Sequence, residues 1–230
     1  MSRLHKSSDG PLLCYVTDRR SLSSTDSLQA RELLLSKIAA AAAAGVDLIQ
    51  IREKDLSGRD CGQLTRESLQ CVAKSPSRNF APTRVLVNDR LDVALAERAD
   101  GVHLGENSLP LAEAKRLADA DAQSVEFLTG VSCHSLENAK SAAGDGADYL
   151  FFGPVFATPS KAAFGAPLGL KRLAEVCRAV SIPVLAIGGI KVVNAATCLT
   201  VGASGIAAIR LFQDVTDMSS IVQSIRKLKP

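Results

Sequence analysis

No two cysteines in this chain stand as C-x-x-C, although there are six: Cys14, Cys61, Cys71, Cys133, Cys177 and Cys198. Zinc ribbons and thioredoxin-like redox centres are therefore unsupported. Cys14, inside Leu-Leu-Cys-Tyr-Val, typifies the alternative, a buried structural thiol in a reducing compartment. A strong charge bias is also missing. Lys and Arg number 27, Asp and Glu 24, and the net charge of +3 is too small to argue for nucleic acid or a membrane surface. The first ten residues have no apolar core of a signal peptide. The longest apolar run, Ile38 to Ala44, falls far short of the roughly 20 residues of a membrane span. These absences predict a cytoplasmic protein, with neither nucleic acid nor membrane expected as a partner. No stretch rich in Pro, Gly or Ser divides the sequence, and no repeat beyond a strand–helix unit is evident.

What is present is ample apolar material. The 230 residues are 47% hydrophobic and 22% charged, enough to bury a full core as one domain. Short β-type runs recur at Leu12–Thr17, Asp47–Arg52, Val85–Asn88, Gly101–Leu104, Phe127–Ser132, Tyr149–Gly153, Pro183–Ile187 and Gly205–Ile209. Most are nearly continuous in apolar residues, as strands buried on both faces should be. Helical segments lie between them. Leu28–Ala44 ends at Gly45, and Leu109–Ala120 has Pro110 in its first turn. Ser135–Ala143 has Ser135 as N-cap, and Leu168–Val180, Val192–Val201 and Ser219–Leu228 follow. The alternation predicts a single α/β domain, a closed (β/α)8 TIM barrel. Its main rival is a doubly wound open sheet, which would want a G-x-G-x-x-G loop after the first strand. That strand runs instead into Thr17-Asp18-Arg19-Arg20.

Barrel chemistry gathers where the strands end. After the second run comes Gln50-Ile51-Arg52-Glu53-Lys54. Period-two alternation aims Gln50, Arg52 and Lys54 to one side, where two cations and an amide suit an anion; solvated charges at an exposed strand end are the alternative. After the third, Asn88 and Asp89 offer hard oxygen ligands of the kind Mg²⁺ prefers, or Asp89 caps the next helix. After the fifth, Ser132 can donate to a phosphate, and His134 either moves a proton or is structural. After the sixth, Thr158, Ser160 and Lys161 sit in a long segment able to close over a ligand. After the seventh and eighth, Gly188-Gly189 and Ile209-Arg210 occupy the usual phosphate position of such barrels, or form plain turns. Two anion sites on one face, one beside a metal, suit a reaction joining two phosphorylated substrates.

These segments also resemble a known family. Gln50-Ile-Arg-Glu-Lys54, Val87-Asn-Asp-Arg-Leu-Asp92, Ala99-Asp-Gly-Val-His-Leu-Gly105, Gly130-Val-Ser-Cys-His134, Gly146-Ala-Asp-Tyr149, Gly153-Pro154, Ala186-Ile-Gly-Gly-Ile190 and Gly202-Ala-Ser-Gly205 resemble the thiamine phosphate synthase and thiazole tautomerase superfamily, in order and spacing. The likeness runs from about Leu12 to Phe212 and is nearest to the synthases. It implies a transferase that joins hydroxymethylpyrimidine diphosphate to a thiazole phosphate, releasing pyrophosphate by a dissociative route, with Mg²⁺ as cofactor. By position Gln50, Arg52, Lys54, Asn88, Ser132 and Lys161 hold the pyrimidine diphosphate, helped by Thr158 and Ser160. Gly188, Gly189, Ile209 and Arg210 lie at the thiazole phosphate, and Asp89 and Ser108 at the metal. A homo-oligomer is left open.

Two positions depart from the family pattern. Synthases usually carry a second magnesium-binding Asp after the fourth strand; here the stretch reads Gly105-Glu106-Asn107-Ser108, a hydroxyl in its place with Glu106 nearby. Arg210 stands where Ser is usual. Two alternatives remain. A tautomerase would use His134 on a thiazole carboxylate phosphate, and a non-catalytic paralogue would only bind thiazole phosphate. Tautomerases tend to lack the residues standing here as Gln50, Lys54 and Asp89, so the retained set favours the synthase.

Overall fold

In the computed structural model, residues 4, 10–22, 26–75, 82–121, 126–158 and 166–228 are described. Strands β1 (Leu12–Val16), β2 (Leu48–Ile51), β3 (Arg84–Asn88), β4 (Gly101–Leu104), β5 (Leu128–Cys133), β6 (Tyr149–Phe152), β7 (Val184–Ile187) and β8 (Gly205–Ala208) form a closed barrel in chain order. All neighbours are parallel, and β8 closes on β1 through Leu12 opposite Gly205. The expected (β/α)8 barrel is thus observed, and the open doubly wound sheet is not.

Helices α1 (Ser27–Ala44), α2 (Gly58–Lys74), α3 (Leu91–Ala96), α4 (Leu111–Ala120), α5 (Leu136–Gly144), α6 (Gly169–Ala179), α7 (Val192–Thr200), α8 (Arg210–Gln213) and α9 (Met218–Arg226) surround the sheet. The sequence patterns above mark neither α2 nor the short α8, and of α3 they give only a possible start at Asp89. In α2, Gly58 and Gly62 stand within the helix, and the buried face includes Thr65 and Ser68 rather than an aliphatic stripe. Those hydroxyls are satisfied internally, donating to the Cys61 and Leu64 carbonyls at 2.8 Å each. A Cβ on Gly62 would lie 2.9 Å from the Glu97 carboxylate, so the glycine makes room for the segment after α3.

Strand alternation splits the apolar residues into two layers. Leu12, Cys14, Val16, Leu48, Leu86, Leu128, Tyr149, Phe151, Leu185 and Ala207 fill the barrel interior. Leu13, Tyr15, Ile49, Ile51, Val85 and Ile206 face the helices. Gly130 points inward, where a Cβ would overlap the Tyr149 ring at 2.0 Å. The missing side chain is therefore what admits that ring.

A repeat of two strand–helix units does exist, contrary to the sequence reading. Before each even-numbered strand a left-handed residue (Gly45, Arg98, Gly146 or Gly202) precedes a buried small one (Val46, Ala99, Ala147 or Ala203). The next residue is Asp47, Asp100, Asp148 or Ser204. The three carboxylates accept from the Leu13, Val85 and Thr129 backbone N–H at 2.7, 2.7 and 2.8 Å, stapling β1, β3 and β5 each to its successor. Replacing Asp148 with alanine strips the buried Thr129 N–H of its acceptor. The expected cost is about 1–3 kcal/mol, read by thermal denaturation as a fall of roughly 2–12 °C at this chain length.

Candidate active site

The catalytic end of the barrel carries polar side chains where the apolar interior stops. Gln50 on β2 is buried and donates from Nε2 to the Asn88 Oδ1 at 3.1 Å. Asn88, the last residue of β3, donates from Nδ2 to the Asp89 Oδ2 at 2.6 Å. Asp89 has φ of +62°, a backbone region that few non-glycine residues tolerate. Such strain is kept where the surroundings demand it. Here it turns the carboxylate toward the β4 loop, where Oδ1 accepts from the Gly105 N–H at 3.2 Å and from the Ser108 hydroxyl. The Ser108 oxygen itself accepts from the Gly105 N–H at 2.6 Å. Asp89 does not cap α3: Arg90 holds the N-cap position, with no side-chain cap bond. Of the two readings offered for Asp89, the capping one is excluded.

The arrangement continues on the next strands. His103, buried on β4, lies between the Tyr149 hydroxyl at Nδ1 and the Ser132 hydroxyl at Nε2, each 2.9 Å away. Its ring packs 4.1 Å from Phe151. Burial, with a smaller push from the Arg52 cation against a pull from Asp89, lowers the His103 pKa to about 3, so the ring is neutral. Burial likewise raises the Tyr149 phenol, which stays protonated. Sequence reasoning assigned neither residue to the site, although His103 stands at an inward position between outward Val102 and Leu104.

Gln50, Arg52 and Lys54 do not share one strand face as alternation implied. β2 ends at Ile51, and Lys54 lies in the turn beyond it. Arg52 and Lys54 are still brought together. With Asp18, Arg20, Glu53 and Asp55 they line a cavity of about 320 Å³. Glu53 is the hidden support. Its buried carboxylate accepts from the Thr17 hydroxyl at 2.6 Å and from the Arg19 N–H and guanidinium at 3.0 and 3.1 Å. Thr17 in turn accepts from the Arg52 N–H at 3.0 Å. Burial pushes the Glu53 carboxyl up, opposed by Thr17 and Arg19. Arg19 also grips Asp55 through both terminal nitrogens at 2.7 Å each. It thereby engages both carboxylates of this turn, while Arg20, Arg52 and Lys54 make no ion pair among the described residues and face the cavity.

On the opposite side of the mouth, Gly188 and Gly189 have φ of +94° and +67°. A Cβ on either would strike protein at 2.6 Å, the Pro154 Cα or the Ala157 carbonyl. These glycines admit the segment after β6, which is laced to them by Val155 N–H to the Ile187 carbonyl at 2.9 Å and Phe156 N–H to the Gly188 carbonyl at 3.0 Å. The close approach they allow is thus to the chain itself on that face. Asn194 braces the turn, donating to the Gly189 carbonyl at 3.0 Å and accepting from the Lys191 N–H at 2.8 Å. Ile209 is the residue before α8, and Arg210 is exposed at its start. His134 bonds through Nδ1 to the Gly153 carbonyl, which leaves only Nε2 for proton transfer. Thr158 is half-buried at the edge of the described chain, and Ser160 and Lys161 lie outside the described residues.

As a metal site, the donor set is small. No group of three or more His, Cys, Asp or Glu placed to hold a metal ion occurs among the described residues. Asp89 Oδ1 is occupied twice and Oδ2 once, which leaves one carboxylate lone pair and the remaining one on Ser108. No described helix is long and apolar enough to cross a membrane.

Comparison with known proteins adds the context. A family model described as thiamine monophosphate synthase matches residues 13–212. A thiamine-phosphate synthase of Methanocella arvoryzae is 42% identical over 205 residues, covering 89% of this chain and 92% of that one. One from Chloroflexus aurantiacus is 42% identical over 191 residues, 83% of each chain. Among solved structures, a thiamine phosphate pyrophosphorylase from Pyrococcus furiosus is 33% identical, with a TM-score of 0.77 and 94% of each chain covered.

Proposed function

Because this chain belongs to the thiamine monophosphate synthase family, we propose that it is the enzyme joining hydroxymethylpyrimidine diphosphate to thiazole phosphate, giving thiamine phosphate and pyrophosphate. The observation that carries the reading is the polar arc Gln50–Asn88–Asp89–Ser108, continued through His103 to Ser132, at the mouth of the barrel. The bond between the pyrimidine methylene carbon and the diphosphate oxygen breaks with both electrons going to oxygen. Arg52, Lys54 and the Ser132 hydroxyl hold that oxygen's phosphate, where charge grows as the bond lengthens. From the sequence, Lys161 adds a further cation. The thiazole nitrogen lone pair then forms the bond to the methylene carbon, with its phosphate held at Gly188, Gly189, Ile209 and Arg210. Positioning and charge stabilisation suffice for such a step, and no residue need form a covalent intermediate.

Asp89 and Ser108 would hold a magnesium ion only with help from oxygens outside the protein, since they supply too few to hold one alone. Such an ion would neutralise diphosphate charge. Calorimetry should therefore detect little Mg²⁺ binding to the protein by itself and tight binding once pyrophosphate is added. Equal binding in both cases would contradict this.

The function itself is tested in a thiamine auxotroph lacking its own synthase and fed both precursors. The chain should restore growth and the Arg52→Ala chain should not. Absence of growth with well-expressed protein would contradict the proposal.

A further inference from the structure

We infer that Tyr149 is a positioning residue for the proposed reaction: through His103 it orients the Ser132 hydroxyl so that its hydrogen points to the anionic ligand. The proposal rests on the synthase reading for its ligand, while its geometry stands independently.

Proton accounting along three residues fixes this orientation. Tyr149 has one hydroxyl hydrogen, and its oxygen lies 2.9 Å from the His103 Nδ1. The phenol is fully buried, and no other partner of this hydroxyl is found among the described residues. If Nδ1 carried the ring proton, the phenol hydrogen would be left in the apolar interior without an acceptor, against Leu128, Phe151 and the Gly130 backbone. Tyr149 therefore donates to Nδ1. The neutral ring then carries its proton on Nε2 and donates to the Ser132 Oγ at 2.9 Å. Ser132 is only partly buried and stands at the mouth. Once its oxygen accepts from His103, its own hydrogen is free to donate outward, toward the position of the diphosphate. The opposite tautomer would draw the Ser132 hydrogen inward onto Nε2 and present a lone pair to an anion. Sterically, the relay is secured by Gly130, which admits the Tyr149 ring, and by Phe151, whose ring lies 4.1 Å from the imidazole.

Two measurements test this. A long-range ¹H–¹⁵N spectrum of the intact protein, with His103 assigned against His5 and His134 by a His103→Gln variant, should show His103 with a bare Nδ1 and a protonated Nε2. The reverse tautomer would overturn the proposal, and the spectrum needs no substrate. In steady-state kinetics, Tyr149→Phe should lower kcat/KM about tenfold, with the ring packing kept. Ser132→Ala should lower it about a hundredfold. The double variant should be no worse than Ser132→Ala alone, because both act through one hydrogen bond. Additive losses, or full activity in Tyr149→Phe, would sink the relay while leaving the reaction itself standing. Absence of product in the wild type, with the expected spectrum, would sink the reaction and leave the relay.

Discussion

Replacing Arg52 with alanine is expected to lower kcat/KM about a thousandfold, because in the proposed reaction the lost group would be a charge-assisted donor to growing pyrophosphate charge. The side chain makes no ion pair among the described residues, and its backbone N–H is held by Thr17 whatever the side chain is. Stability should therefore be spared, with the melting temperature moving by no more than about 2 °C, the range of a surface substitution. Arg52→Lys should recover part of the rate: it keeps the charge but loses the two-pronged grip. A large loss of melting temperature in Arg52→Ala would mean that the residue supports the fold rather than the ligand. A loss confined to KM for thiazole phosphate would place it at the wrong end of the site.

Gly130→Ala is the second large effect, and it acts through packing. The added Cβ would sit 2.0 Å from the Tyr149 Cζ and 2.3 Å from its hydroxyl, so the ring must move. It has little room, because Phe151 lies 5.4 Å away and His103 5.6 Å away, all inside the barrel. Overpacking of this kind costs about 1–3 kcal/mol, or roughly 2–12 °C of melting temperature at this length. The displaced hydroxyl also releases His103, so the folded remainder should lose about tenfold in kcat/KM. Thermal denaturation and steady-state rates on the same preparation measure both. An unchanged melting temperature with unchanged rate would contradict the placement of the Tyr149 ring in the interior.

The barrel was legible because parallel strands covered on both faces are written as short apolar runs, and all eight stand in the sequence as such. α2 was not, since its buried face sets Gly62, Thr65 and Ser68 beside Cys61 and Leu64, with the two hydroxyls satisfied within the helix itself. The expected site residues Gln50, Asn88, Asp89, Ser108 and Ser132 converge because each stands at or just beyond a strand's carboxyl end. Lys54 broke the alternation argument at the point where β2 stopped and a turn took over. Glu53, read merely as the residue between two cations, is the buried anchor of their turn, a role fixed by Thr17 and Arg19 more than thirty residues earlier in the chain. His103 and Tyr149 escaped notice because each sits in an apolar run that reads as core. Only the register that sets Gly130 between them shows the polar link. Gly188 and Gly189 carry a phosphate reading from position and composition together, and the structure adds a further demand on them, the packing of Pro154 and Ala157.

Purified protein with both phosphorylated substrates and Mg²⁺ should yield thiamine phosphate and pyrophosphate in equal amounts, and neither product when one substrate is left out. A folded protein that binds thiazole phosphate yet forms no thiamine phosphate at any Mg²⁺ concentration would contradict the account. Proton exchange on a thiazole carboxylate phosphate, lost in His134→Ala, would then identify the tautomerase instead.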